Sequence, residues 1–326
     1  MKKILCNFCL SIFLLSLIFG QLVWAEDNTD YFHWLENFKR DAQQSGITID
    51  ILTTAFADVK PLAWIIKLDR NQPEFKKTLP EYLAGAVTYK RVKRGQQLLV
   101  ENTEIFAQIY QDYQVQPRFL LALWGIETSF GLHSGNVPII EALVTLAYDG
   151  RRSNYFRQEL LDALQILDQG HIKYDQMKGS WAGAMGQVQF MPSSFLSYAV
   201  DGNGDGRIDL WNTREDYLSS AANYLAKSGW DYKYTWGREV ILPSNLNTAQ
   251  FGLERQQILS DWQKLGVRTI ERKSLPMDKI MASLIQPDGP QGRSFLVYDN
   301  YRVLLKWNKA HRFAVAVGTL ADQIGK

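Results

Sequence analysis

The sequence has almost no cysteine: two in 326 residues, Cys6 and Cys9, both within the first 25. Those 25 residues read as a secretory signal peptide, with Lys2 and Lys3 at the start, an apolar stretch from Leu10 to Phe19, and Val23-Trp24-Ala25 as the cleavage site. The apolar stretch is shorter than the ~20 residues a spanning helix needs. Neither cysteine has the context that lipid attachment requires. The mature chain is therefore expected to hold no disulfide and no thiolate metal site. Its stability must come from burial, which a chain of this length can supply.

An excess charge of either sign is also lacking. The whole chain carries 36 Lys+Arg and 34 Asp+Glu, and removal of Lys2 and Lys3 leaves 34 of each. That balance gives no general case for nucleic-acid binding. Histidines are few (His33, His133, His171, His311), and no pair has the helical spacing of a zinc protease. No internal repeat, low-complexity block or long linker is present. Aromatics, in contrast, are abundant at 10 Trp, 15 Tyr and 16 Phe. Burial is their default use, and a groove that stacks sugar rings would use the same residues.

Apolar residues recur at three- and four-residue spacing over Tyr31 to Phe38, Ile49 to Ala57 and Gly95 to Tyr113, which predicts helices, with Asp30 and Asn102 as candidate caps. The helical pattern continues from Gln116 to about Ala226. Between Arg238 and Leu305 it gives way to short runs, Glu239 to Leu242, Ser294 to Tyr298 and Tyr301 to Leu305, that read as strands. Only Asp299-Asn300 separates the last two, so a hairpin is expected. Ala310 to Ile324 is again helical and is expected to pack back on the earlier helices. The fold class predicted is mainly α (α+β).

The segment Pro117 to Gly131 carries the strongest chemical signal. Pro117 suits the first turn of a helix and Gly131 its end. Phe119, Leu123, Ile126 and Phe130 form an apolar stripe, and Glu127 is the only acid. A carboxyl against apolar and aromatic side chains loses hydration, so its pKa rises. It can then hold a proton near neutral pH and hand it to a leaving oxygen, as glycosidic cleavage requires. A buried salt bridge would place a glutamate there equally well. The second segment is Gly179 to Phe195, whose small residues at 182, 183, 184 and 186 allow close approach of backbone or ligand. Gln189 offers a donor and an acceptor for sugar hydroxyls, Met185 and Met191 offer soft apolar surface, and Ser193-Ser194 can cap the next helix.

Taken together, Gly125-Ile126-Glu127-Thr128 with Gly131, Gly183-Ala184-Met185-Gly186 and Gln189-Phe190-Met191-Pro192-Ser193-Ser194 resemble the lytic murein transglycosylase B family. Gly150-Arg151-Arg152 with Tyr155-Phe156, Asp201 to Gly206, and Ala222-Asn223-Tyr224 match in the same order. The resemblance covers nearly all of the mature chain. It implies a lysozyme-like helical core spanning 108–237 and an additional helical domain spanning 26–107 together with the C-terminal helix 310–326. A small β-containing domain over 238–309 completes the arrangement. It also implies cleavage of the MurNAc–GlcNAc bond of peptidoglycan without water. Glu127 would act first as acid and then as base, leaving a 1,6-anhydro end. On the family's pattern, Ser180, Met185, Gln189, Tyr82, Tyr224 and Asn308 would bind substrate. The chain departs from the family where Lys306-Trp307-Asn308 replaces Arg-Tyr-Asn, so Trp307 brings only an indole N–H where the family has a hydroxyl.

Asp201-Gly202-Asn203-Gly204-Asp205-Gly206-Arg207 follows an EF-hand start: oxygens at positions 1, 3 and 5, glycine at 6, and a carbonyl from Arg207 at 7. Position 12 is Asn212 in place of the usual glutamate. The resemblance supplies a longer loop, 201–216, closed by Asp216 with Glu215 as the alternative, and implies a structural Ca2+ or Na+ with no catalytic cofactor. The expected setting is a Gram-negative periplasm. The expected partner is the peptidoglycan glycan strand, with cell-wall synthesis or division proteins as candidate company and a monomeric state. Two other readings stay open: a lysozyme-type hydrolase on the same scaffold, and a calcium-bound glycan-binding protein without catalysis.

Overall fold

The computed structural model describes residues 30–71, 77–246, 252–276 and 279–326. The signal peptide read from residues 1–25 lies outside them. The chain opens with helix α1 (30–44), α2 (Ile49–Ala55), α3 (Ala63–Arg70), α4 (Leu79–Ala86), α5 (Tyr89–Glu101) and α6 (Thr103–Tyr113). Next come α7 (Pro117–Thr128), strand β1 (Val137–Pro138), α8 (Ile139–Tyr148), α9 (Ser153–Asp168), strand β2 (Lys178–Gly179), α10 (Pro192–Tyr198) and α11 (Arg214–Lys227). Strands β3 (Gly237–Ile241) to β7 (Ser294–Val297) follow, with β4 (Gln257–Ile258), α12 (Leu259–Lys264), β5 (Arg268–Thr269) and β6 (Met281–Ile285) between them. Helices α13 (Asp299–Trp307) and α14 (His311–Ile324) close the chain.

The centre of the molecule is α7. Pro117 occupies its first turn, where a missing N–H costs nothing. Phe119 through Gly125 are all buried, so the helix is apolar on every side, as a helix surrounded by others must be. Helices α5, α6, α11 and α14 pack around it. The final helix thus returns to the first half of the chain, as its spacing predicts, and also meets α4 and α13.

The sheet is antiparallel, in the order β4-β6-β7-β3-β5. Its side chains alternate between two cores, following the two-residue period of a strand. Phe295, Val297 and Ile285 join the large core that runs through all the helices. Leu296, Tyr298, Ala282 and Leu284 face a smaller cluster built with Leu259 and Trp262 of α12.

Several local expectations are corrected. Tyr301 to Leu305 is helical and forms no hairpin with Ser294 to Val297: β7 pairs with β6 and β3 instead. Asp299 falls in the first turn of α13, and the buried residues Asn300, Tyr301, Val303 and Leu304 fit a helical face rather than alternation. Gly95 to Tyr113 is two helices. The Asn102 side chain donates back to the Leu98 carbonyl at 2.7 Å, so it closes α5 rather than capping α6. Asp30 is already helical. Ser193 lies inside α10. Its N–H and hydroxyl both donate to the buried carboxylate of Glu159, at 2.9 and 2.7 Å, so an acid from α9 serves the start of that helix.

Candidate active site

Glu127 is the penultimate residue of α7. The helix stops because three residues in succession take left-handed backbone: Ser129 at φ 52°, Phe130 at 60° and Gly131 at 88°. Phe130 thereby folds back edge-on to Trp124, ring centres 5.5 Å apart. A Cβ on Gly125 would lie 2.8 Å from the Phe130 ring, which is why glycine stands there. At Gly131 a Cβ would lie 2.4 Å from Oε1 of Gln187.

Gln187 is the hub that fixes this turn. Its Oε1 accepts from the Trp124 indole at 2.8 Å and its Nε2 donates to the Trp211 carbonyl at 3.0 Å. Its own carbonyl accepts from the Thr128 hydroxyl at 2.9 Å, and that hydroxyl accepts from the Gly131 N–H at 3.0 Å. From the other side, the half-buried Arg91 of α5 donates to Ser129 Oγ at 2.9 Å and to the carbonyls of Gly85 and Ala86 at the end of α4. No carboxylate pairs with Arg91 among the described residues. Neither Gln187 nor Arg91 is singled out by the sequence, because the contacts that tie them to the end of α7 span tens of residues: 63 from Gln187 to Trp124 and 38 from Arg91 to Ser129.

The Glu127 carboxyl itself is half-buried, and its Oε1 accepts from the Trp307 indole N–H at 2.8 Å. Burial pushes its pKa up to about 7, and the indole hydrogen bond opposes the rise. The end of a helix dipole is negative, which further disfavours a carboxylate there. Among the described residues no hydrogen bond or ion pair joins Glu127 to a second acid. Glu141, at the start of α8, accepts from the Tyr174 hydroxyl at 3.4 Å.

The remaining candidates fall into three groups. Tyr224, nearly buried, packs against Trp307, Phe190 and Tyr198 at ring distances of 4.8, 5.8 and 4.4 Å, and burial pushes its hydroxyl up to about 12. Tyr82 and Asn308 line a cavity of about 500 Å³ with Trp181, Arg152 and Arg312. Asn308 directly follows Trp307, so this cavity adjoins the residue that holds Glu127. Ser180 and Gln189 shape the loop between them. The Ser180 oxygen accepts from the N–H groups of Ala182 and Ala184, at 3.3 and 3.0 Å, which leaves its O–H free to donate. Gln189 sits at φ 52° and donates its amide to the carbonyls of Ser134 and Gly186, at 3.0 and 2.9 Å. Only its acceptor side remains for a ligand. Met185 is fully buried and its backbone pairs with Phe190, so its apolar surface faces the core. Trp181 and Arg152 stand inside segments that the sequence singles out, but no groove role is read there for either. Arg312 is not singled out, since its place depends on an ion pair with Asp288 at 2.9 Å. Asp288 also accepts from Leu79 N at 2.6 Å and so ties α4, the β6–β7 loop and α14 together around the cavity.

In loop 201–216, Asp201 accepts from the N–H groups of Gly204, Asp205 and Gly206. Asn203 accepts from Asp205 N, and Asp205 from Arg207 N. Asp216, fully buried in the first turn of α11, accepts from Gly202 N at 2.9 Å and Asp209 N at 2.6 Å. Burial raises the Asp216 pKa, backbone N–H groups lower it, and Asp201 raises it again. Among the described residues no three acidic, histidine or cysteine side chains stand together at ligating distance. The oxygen-only donors and the buried carboxyl of Asp216 beside Asp201 nevertheless fit a hard cation. Among the described residues no helix is long and apolar enough to cross a membrane.

Residues 30–322 match the family model described as transglycosylase SLT domain. The chain is 29% identical over 296 residues to membrane-bound lytic murein transglycosylase B of Escherichia coli (strain K12), covering 84% of this chain and 77% of that one. The crystal structure of SltB3 from Pseudomonas aeruginosa in complex with NAG-anhNAM-pentapeptide superposes with a TM-score of 0.87 at 40% identity, covering 90% and 79% of the two chains. The Escherichia coli lytic transglycosylase SLT35 in complex with calcium gives a TM-score of 0.76 at 27% identity, covering 89% and 92%.

Proposed function

The chain belongs to the transglycosylase SLT domain family, and from that premise we propose that it is a peptidoglycan lytic transglycosylase whose single acid and base is Glu127. The observation that carries the assignment of the residue is the hydrogen-bonded, half-buried carboxyl with a pKa pushed up to about 7. Such a group is protonated often enough to give a proton to the glycosidic oxygen and acidic enough to take one back. In the first step Glu127 protonates the oxygen between muramic acid and glucosamine, and the bond to C1 breaks. In the second, the muramic C6 hydroxyl closes on C1 and its proton passes to the carboxylate, leaving a 1,6-anhydro end. A retaining hydrolase needs a second carboxylate about 5 Å from the first. The groups that set the Glu127 titration are its burial and the Trp307 indole, with no neighbouring acid among them, which supports the one-carboxyl route.

The cavity lined by Tyr82, Trp181 and Asn308 is the proposed glycan site, with the aromatic faces stacking sugar rings. The O–H of Ser180 and the acceptor side of Gln189 are proposed to bind ring substituents. Lys309, with Arg152 sharing the one carboxylate of Asp69 with Arg151, leaves the same cavity a net positive lining although Arg312 is balanced by Asp288, which suits strands that carry peptide carboxylates. Loop 201–216 is proposed to hold Ca2+ through Asp201, Asn203, Asp205, the Arg207 carbonyl and Asp216. The cation would neutralise the buried Asp216 and stiffen the wall that follows Gln189, without entering the reaction. Export to the periplasm is proposed from residues 1–25. The test is release of soluble muropeptides from purified sacculi: the wild-type protein releases them and Glu127→Gln does not. Equal release by both would remove Glu127 from the chemistry.

A further inference from the structure

The bond between Trp307 and Glu127 has a directional property. An indole nitrogen carries one hydrogen and has no lone pair to offer, so it donates and never accepts. A hydroxyl at the same place could rotate and do either. The indole here cannot turn away. Its ring packs against Phe190 at 5.2 Å and Tyr224 at 4.8 Å, and Tyr224 is in turn backed by Tyr198 at 4.4 Å. Its neighbours are held as well: the Lys306 ammonium donates to the Ser228 carbonyl at 2.8 Å, the Asn308 N–H donates to the Leu304 carbonyl at 3.1 Å, and the Asn308 side-chain oxygen accepts from Ala310 N at 3.0 Å. The donor is therefore aimed at Glu127 Oε1 whether the carboxyl is ionised or not.

The consequence concerns which oxygen carries the proton. In a carboxylic acid the carbonyl oxygen is the better acceptor, and the hydroxyl oxygen is a poor one. An N–H held on Oε1 makes Oε1 the carbonyl oxygen and leaves the hydrogen on Oε2. Resting on the transglycosylase reading, we infer that Trp307 is a positioning residue that keeps the transferable proton of Glu127 on Oε2. The Oε2 hydrogen goes to the glycosidic oxygen as the C1–O bond breaks with its electron pair on that oxygen. The hydrogen of the C6 hydroxyl returns to Oε2 as O6 bonds to C1. One oxygen serves both transfers, and the carboxyl need not rotate between them. The substitution of the family tyrosine by Trp307 thus changes a two-way hydroxyl into a one-way donor.

The test uses the full chain and two readouts. Trp307→Phe keeps an aromatic ring and removes the donor. A hydrogen bond to the charged form favours that form, so its loss moves the alkaline limb of the rate profile on sacculi to higher pH, by roughly one unit. Trp307→Tyr, which restores a donor, brings the limb back. A ring that only packs would lower the rate at every pH and leave the limb in place, and that result overturns the inference. In the wild-type protein, the nuclear magnetic resonance signal of the Trp307 indole hydrogen should move downfield as Glu127 ionises and stay fixed in Glu127→Gln. An indole signal that does not titrate overturns the inference even if Trp307→Phe does not fold. The resonance readout needs no turnover. A failure of the transglycosylase reading itself would show separately, as wild-type digests without anhydro ends.

Discussion

Replacing Glu127 by Gln should stabilise the protein, and only at high pH. A folded-state pKa raised above its unfolded value means that ionisation is harder in the fold than out of it. For a carboxyl, stability is therefore full below the unfolded pKa and is lost as pH rises through the folded one. The interval from 4.5 to about 7, at about 1.36 kcal/mol per unit, corresponds to about 3 kcal/mol. This is an upper value, because the half-open carboxyl keeps some water. A glutamine cannot ionise and keeps an oxygen for the Trp307 indole, so its stability lacks this term. Thermal melts of wild type and Glu127→Gln should coincide below pH 4.5, separate progressively between pH 4.5 and about 7, and differ by a constant amount above that. The variant should then melt higher, by up to about 5 °C for a chain of this size. A constant difference across pH, or a variant that is less stable above pH 7, would refute the claim that burial sets the titration of this group.

Other outcomes follow from the same geometry. Gln187→Ala removes the acceptor of the Trp124 indole and the donor to Trp211. It should destabilise by about 2–3 kcal/mol, since one buried N–H and one carbonyl lose partners. It should also lower the rate on sacculi more than it lowers sacculus binding, which a pull-down beside a rate measurement separates. Calcium should raise the melting temperature of the wild type in proportion to the logarithm of its concentration above Kd. Asp216→Asn should abolish that rise while leaving anhydro products detectable, measured by melts with and without a chelator. Trp181→Ala should weaken strand binding by roughly 1–3 kcal/mol, the worth of an aromatic stacking face with its packing, read as a higher KM with little change in kcat.

Helix α7 was legible because everything that defines it is local. Pro117, the apolar run, the lone acid and Gly131 lie within fifteen residues, and burial of that run implies the perturbed carboxyl. Of the groups that hold Glu127 in place, Trp307 was reached only through the family resemblance, and Gln187 and Arg91 were not reached at all. Trp307 lies 180 residues away, Gln187 lies 63 residues from Trp124, and Arg91 lies 38 residues from Ser129. Contacts of that separation are set by packing and not by any local pattern. The misreading of Tyr301 to Leu305 has a different origin. A five-residue aromatic and β-branched run fits a strand and a helical face equally well, and its burial beside α14 decided between them. At Ser193 the sequence rule for a helix cap was outbid by a buried acid from the neighbouring helix. The pairing of a one-way indole donor with the acid could be posed from Trp307 in the sequence, but its direction needed the coordinates.

The central claim is that Glu127 cleaves the strand without water, and labelled water tests it most directly. Purified sacculi digested in water enriched in heavy oxygen should give muropeptides with 1,6-anhydro ends, lighter than reducing ends by one water and free of label. Reducing ends that carry the heavy oxygen would contradict the account and make the protein a hydrolase.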